Sequence, residues 1–303
     1  MRISPQISQM VLSALQTSDT AEQKALLQLT TGRRVNSASD DAAAAAQEVN
    51  ISSQMNNCDQ YLRSISSIYS EMQTADSSLN SAVTALQAAI NLGVAGANGT
   101  LSQQNRITLA QQVRNVSQQV LGVANLSYNG TYVFAGTADS QPPYVADNSV
   151  PGGVRYQGND GVNSVEIEEG QSVAVNQPGS QLFSANGASV FVALNDLATK
   201  LEDPNSSTDD IGSAVTELRG AFNQLTSART FYGSSIDQLL GTQDFLNNKN
   251  VQLGQQQNST VGVDMNVAAT NLTNAEQARN ATVQAAASLS SVTLMDYLSS
   301  IGH

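Results

Sequence analysis

The chain has 303 residues, 25 of them acidic and 13 basic, for a formal net charge of -12; its single cysteine is Cys58 and its single histidine is His303. One cysteine excludes an intrachain disulfide or a thiolate metal cluster, scattered basic residues form no phosphate-binding face for nucleic acid, and no run of about eighteen apolar residues offers a membrane-inserted helix. A terminal histidine is poorly placed as base or ligand, and none of Lys24, Lys200 and Lys249 follows a phosphate-cradling glycine loop, so the sequence predicts no enzyme, no cofactor and no metal site.

Apolar residues make up 40% of the chain but aromatic ones only 5%, with no tryptophan. That composition suits long helices with narrow seams better than a bulky core. The first residues carry one charge and no apolar stretch of the kind a cleavable secretory signal needs. Sequence rules alone therefore read the chain as cytoplasmic.

In chain order, Ile3, Ile7, Met10 and Ala14 open an amphipathic stretch at the amino end. Further on, Asp40 and Asp41 read as helix-start acids behind a Ser39 cap. A seven-residue apolar period follows: Ile51, Met55, Cys58, Leu62, Ile65, Tyr69, Met72, Asp76, Leu79, Val83, Leu86, Ile90, where only Asp76 breaks the apolar run. Cys58 lies on that seam, as a buried thiol would. The glycines Gly93, Gly96 and Gly99 read as a break that lets the chain reverse. Leu109, Val113, Val116, Val120 and Val123 then repeat the pattern on a shorter segment.

From about residue 137 to 202 the texture changes. Pro142-Pro143, Pro151-Gly152-Gly153, Gly158-Asn159-Asp160-Gly161, Glu169-Gly170 and Pro178-Gly179 punctuate runs that alternate at Val154 and Tyr156, Val165 and Ile167, Val173 and Val175. Turn chemistry at strand spacing predicts a small β-rich insertion, closed by a short helix around Val190 to Leu201. Glu166, Glu168 and Glu169 read as a solvated strand edge.

The second long period runs Ile211, Val215, Leu218, Phe222, Leu225, Arg229, Tyr232, Ile236, Leu239, Gln243, Leu246, Asn250, Leu253. At about 1.5 Å per residue each long seam spans roughly 60 Å, and a sustained period of 3.5 predicts antiparallel helices packed along common seams. The carboxy end continues with Val261, Met265, Ala268, Leu272, Ala275, Ala278, Thr282, Ala285, Leu289 and Val292. Both terminal seams are alanine-rich and thin, which predicts ends that are loose in the monomer and order on packing.

The expected fold is thus mainly α: an elongated rod of long antiparallel heptad-patterned helices built from both halves of the chain, with a small β-rich inserted outer domain. Its parts are residues 1–42 with 260–303 as a terminal helical assembly region, 43–136 with 203–259 as the helical rod, and 137–202 as the insertion.

The stretch Leu29-Thr30-Thr31-Gly32-Arg33-Arg34-Val35-Asn36-Ser37-Ala38-Ser39-Asp40-Asp41-Ala42-Ala43 resembles the amino-terminal signature of the flagellin superfamily. Tyr128-Asn129-Gly130-Thr131-Tyr132-Val133-Phe134-Ala135-Gly136-Thr137 and the tail Ser291-Val292-Thr293-Leu294-Met295-Asp296-Tyr297-Leu298 resemble the smaller of the hook–filament junction members of that superfamily more than its filament members. What the resemblance implies is a structural flagellar subunit that joins hook to filament, with filament flagellin as the alternative and a rod-borne adhesin or binding module more remote. It implies export through the flagellar type III apparatus without signal cleavage, an extracellular location in the flagellum, and self-association in a ring. The implied partners are the other junction protein, flagellin subunits and an export chaperone. Family-motif residues are Gly32, Arg33, Asn36, Asp40 and Asp41; Arg33 and Arg34 are expected at an intersubunit contact. The terminal residues expected to carry assembly are Ile3, Ile7, Met10, Leu272, Leu289, Leu294 and Leu298.

Overall fold

A computed structural model describes residues 5–184 and 189–301 of the chain, with side chains described for 9–184 and 189–288. The chain is mainly α. Long helices α1 (Pro5–Thr31), α2 (Ala42–Gly96), α3 (Gln103–Ala124), α6 (Thr208–Val261) and α7 (Met265–Ile301) carry it, with short helices α4 (Gly179–Phe183) and α5 (Val190–Glu202). Among the described residues, strands β1 (Ser127–Tyr128), β2 (Thr131–Tyr132), β3 (Tyr144–Ala146), β4 (Val154–Tyr156), β5 (Ser164–Glu168) and β6 (Gln171–Ala174) pair with their sequence neighbours as three antiparallel ribbons. Two compact units result: Met1–Asn57 with Asn248–His303, and Cys58–Asn247. No helix among the described residues is long and apolar enough to cross a membrane.

Local chemistry sets the helix ends. Ser102 caps α3 by accepting the Asn105 amide, Ser189 caps α5 at Val192, and Ser207 with Asp210 forms a reciprocal capping box at the start of α6. The β1–β2 turn places Asn129 at φ 50° and Gly130 at φ 88°, both in the left-handed region that a two-residue I′ hairpin requires.

Within the second unit, α2 and α6 run antiparallel: Asp76 meets Arg229, and Gly93 lies against Val215. Each helix buries one lane at strict seven-residue spacing, Ile65, Met72, Leu79 and Leu86 on α2, and Ile211, Leu218, Leu225, Tyr232, Leu239 and Leu246 on α6. The second buried lane is not the one that the larger side chains suggest. On α2 it is Ile68, Ala75, Ala82 and Ala89; on α6 it is Ala214, Ala221, Ala228, Ser235 and Thr242. The larger neighbours one place on, Tyr69, Asp76 and Val83, then Phe222, Arg229 and Ile236, stand half-buried on the flank, as does Leu62. Val215 is buried beside that lane. On α3 the same shift buries Ala110 and Ala124 with Val113 and Val120, leaving Leu109, Val116 and Val123 half-buried. Small residues on the inner lane let helix backbones approach, while the bulkier side chains cover the edges of the contact.

The break between α2 and α3 spans residues 97–102 and holds Gly99, while Gly93 lies inside α2 and Gly96 is its last residue. A Cβ on Gly93 would collide with Val215 and crowd Leu197, and one on Gly96 would collide with Leu201, so these glycines let α5 and α6 pack close on α2. Helix α5 also packs on α3, where Arg114 clamps Glu202 with Nε to Oε1 at 2.9 Å and Nη2 to Oε2 at 2.7 Å. Aromatic side chains pack together at the base of the insertion: Phe134, Tyr144, Phe183 and Phe191 contact one another in a chain of edge and stacked pairs, and Phe134 meets Tyr232 of α6 edge-on. Tyr144 Oη donates to the Gly179 carbonyl at 2.7 Å, and burial pushes that phenol's pKa upward. Glu166 sits exposed on β5, where Oε1 accepts from the Gly170 amide at 3.0 Å and from Tyr61 Oη at 3.3 Å.

Candidate assembly site

In the first unit, α1 and α7 lie side by side and antiparallel. Ser18 Oγ is 3.4 Å from Thr282 Oγ1, and Arg279 Nε donates to Asp19 at 2.8 Å and pairs with Glu22 at 3.3 Å. Among the described residues, what this helix pair buries is small: Ala25 on α1, Ala268 and Ala275 on α7. Several of its larger apolar side chains face outward, with Met10 71% exposed, Leu12 57%, Met265 52% and Val283 47%, while Val11, Leu15 and Leu272 are half-buried. A shallow groove of about 350 Å³ runs along the pair, lined by Met10, Val11, Ala14, Ala281, Thr282 and Ala285.

Below this pair the signature Leu29 to Ala43 folds into a clasp. Helix α1 ends at Thr31, and Gly32 takes φ 68°, the left-handed conformation that closes a helix most cheaply with glycine. The chain then pairs with the α6–α7 junction: the Arg34 amide donates to Val261 O at 2.7 Å and the Val263 amide to Gly32 O at 3.0 Å. Val35, Ala44 and Val261 bury together beneath it, with Ala45 against them.

Each charged residue of the motif has an intrachain partner. Arg33 pairs with Glu48, whose Oε1 also accepts from Gln257 Nε2 at 2.9 Å. Arg34 Nη2 lies 3.1 Å from both Asp41 Oδ2 and the Thr260 carbonyl. Asn36 Nδ2 donates to Arg33 O at 2.8 Å. Asp40 takes Lys24 Nζ at 2.7 Å and the amides of Asn36 and Ser37 at 3.1 Å; the lysine first, then the amides, hold its carboxyl well below the usual aspartate range. The α2 cap is Asp41 and not Ser39: Asp41 Oδ1 accepts the Ala44 amide at 3.0 Å, and Ser39 is spent on the Ser37 hydroxyl at 2.7 Å. The Ala44 amide and then the Arg34 guanidinium lower the Asp41 pKa.

Of the residues singled out in the sequence, Ile51 and Cys58 are buried in their lanes and Met55 is half-buried. Met10 is exposed and Leu272 half-buried on the terminal helices. Ile3 and the side chains of Ile7, Leu289, Leu294 and Leu298 lie outside the described residues, as does His303. Sequence reasoning missed Glu48 and Gln257, and it placed Val261 on the terminal seam and Val35 in the signature without bringing the two together. Ala44 could have been found, since it stands seven residues before Ile51 on the same lane.

Residues 3–139 match the model of the bacterial flagellin N-terminal helical region. Flagellar hook-associated protein 3 of Salmonella typhimurium is 27% identical over 291 residues, which cover 88% of this chain and 90% of that protein. A protein of the same name in Escherichia coli is 26% identical over 263 residues, which cover 79% of this chain and 81% of that protein. The fold of the chain recurs in two solved structures. A flagellar hook-associated protein from Vibrio parahaemolyticus aligns with TM-score 0.68 at 17% identity, covering 74% of this chain and all of that one. The flagellar junction protein from Legionella pneumophila aligns with TM-score 0.61 at 15% identity, covering 72% and 100%.

Proposed function

We propose that this chain, a structural subunit of the bacterial flagellum, joins hook to filament and acts by packing, not by catalysis. The observation that carries the proposal is the construction of the α1–α7 pair, which turns alanines inward and Met10, Leu12, Met265 and Val283 outward. Burial of apolar surface contributes about 25 cal/mol per Å², so a pair sealed by alanines and exposed ion pairs holds weakly alone and gains most by burying its outer face against neighbours. Subunits stacked in that way form an open, heterologous contact limited by the lattices at either side. The similarity to flagellar hook-associated protein 3 of both Salmonella typhimurium and Escherichia coli supports the junction role, and the similarity to Bacillus subtilis flagellin, 26% identical over 88% of the chain, keeps the filament role as the alternative.

In this reading, residues 1–42 with 260–303 are the assembly region, 43–136 with 203–259 the helical shell around it, and 137–202 the part turned outward. The neighbours are a second junction protein, flagellin and further copies in a ring. Export proceeds unfolded through the flagellar type III apparatus with an uncleaved signal, and a chaperone holds the carboxy-terminal helix beforehand. Loose ends suit this route, because helices that order on assembly keep the monomer soluble and then lock it in place.

Deleting the gene in its host tests the role, with electron microscopy for filaments and an assay of spent medium for flagellin. Hooks without filaments and free flagellin in the medium are expected. Hooks without filaments and no released flagellin would make the chain the filament subunit instead.

A further inference from the structure

Glu71 of α2 stands half-buried at a cleft of about 410 Å³ in the second unit, walled by Thr131, Tyr132 and Val133, by Asp139, and by Asn163 and Val165. Among the described residues no donor or cation meets the Glu71 carboxylate. What faces it from the segment after β2 is another carboxylate, Asp139, whose own backbone carbonyl is fixed by the Tyr132 amide at 2.9 Å. From α6 the nearby titratable group is Tyr232, buried and kept neutral, its oxygen accepting the Gln177 amide at 3.3 Å. The β5 wall brings Asn163, Ser164 and Val165, none of them charged. Asn176 cannot turn to help: Oδ1 accepts the Asn163 amide at 2.7 Å, and Nδ2 donates to the Gly136 and Gly161 carbonyls at 3.2 Å each.

Two carboxylates thus look across an open cleft with no counter-charge, and a proton is the species that removes the conflict. We infer that Glu71 and Asp139 form an acid-sensitive latch between α2 and the 131–139 segment. With both ionised, repulsion holds the cleft open; with one proton taken from solvent, Glu71 gains an O–H that donates to Asp139 and draws the segment onto α2. Desolvation first, and Asp139 second, push the Glu71 pKa above its ordinary value of 4.5. A folded-state pKa raised above the unfolded one gives stability that is complete below the unfolded value and is lost as pH rises through the folded value. The latch therefore closes in mild acid and opens toward neutral and alkaline pH.

The full chain tests this through amide protection factors at Tyr132 and Val133, corrected for intrinsic exchange, and the carboxyl carbon shift of Glu71, both followed from about pH 4.5 to 8. Wild type is expected to gain protection as pH falls, with a Glu71 midpoint above 4.5. Glu71→Gln, neutral and able to donate, is expected to show the closed-state protection throughout with no slope. Asp139→Asn is expected to move the Glu71 midpoint back toward 4.5. Wild-type slope surviving in Glu71→Gln, or a wild-type midpoint at or below 4.5, would overturn the latch.

Discussion

Arg229 of α6 grips Asp76 of α2 through two parallel hydrogen bonds, Nε to Oδ1 at 2.9 Å and Nη2 to Oδ2 at 3.2 Å, while Nη1 reaches Asn80 Oδ1 at 2.9 Å. Asp76 is the one polar residue in its stretch of seven-residue spacing and Arg229 is one of three in its own, and these two answer each other. A fork on a carboxylate has one geometry, so the pair fixes the antiparallel register where alanines on the inner lanes would tolerate slippage. Replacing Arg229 with Met leaves a partly buried carboxylate alone, and thermal melts should show a loss of about 1–2 kcal/mol, between the values for exposed and buried pairs. The double variant Asp76→Leu with Arg229→Leu should recover most of that loss. If the single and double variants melt alike, the pair does not couple the helices.

Glycines on the long helices divide by what lies beside them. In an exposed helix interior, alanine is favoured over glycine by about 1 kcal/mol. Gly241 has open space around its Cβ position, so Gly241→Ala should raise the melting temperature. Gly93→Ala should lower it, because Val215 and Leu197 are buried against that point and a β-branched valine cannot swing away. Melts of the two variants in parallel check the opposite signs.

The lanes show how far the sequence could be read. Seven-residue spacing located α2, α3 and α6 and the lane of large residues on each, and turn chemistry located β4, β5, β6 and α5, while β1, β2 and β3, only two or three residues long, went unread. The second lane was misread because, where an alanine and a larger residue adjoin, hydrophobicity favours the larger while close helix packing favours the alanine; Ala75 beside Asp76 and Ala82 beside Val83 are such places. The clasp was legible as a motif but not as a mechanism. Its contacts join Arg33 to Glu48 and Arg34 to Thr260, and no local pattern encodes a bond between residues so far apart.

Asp40 makes the clasp pH-dependent. Its carboxyl, held below the ordinary value of 3.8 by Lys24 and two amides, contributes stability that is present above that value and lost as pH falls through the depressed folded pKa. Asp40→Asn should therefore be less stable than wild type at neutral pH, and the gap should close as pH drops below 3.8. Urea titrations across that range decide it; a gap that stays constant in acid would mean that the aspartate charge is not what ties Lys24 to the Asn36–Ser37 turn.

The outward face of the α1–α7 pair separates folding from assembly. Leu12 and Val283 are 57% and 47% exposed, so replacing either with Ser removes little that is buried in the free chain. Surface changes of that kind fall within about 0.5 kcal/mol of neutral, and the monomer's melting curve should hardly move. In the assembled state the same positions would be covered by neighbouring subunits, where a buried leucine is worth about 1.5–3 kcal/mol, repeated at every equivalent contact. Cells carrying Leu12→Ser with Val283→Ser should therefore secrete a stable, folded chain yet swim poorly and shed flagellin. Swimming and filament counts equal to wild type would show that the exposed apolar face is not an assembly surface, whereas loss of secreted protein together with a lowered melting temperature would place those side chains in the fold of the free chain.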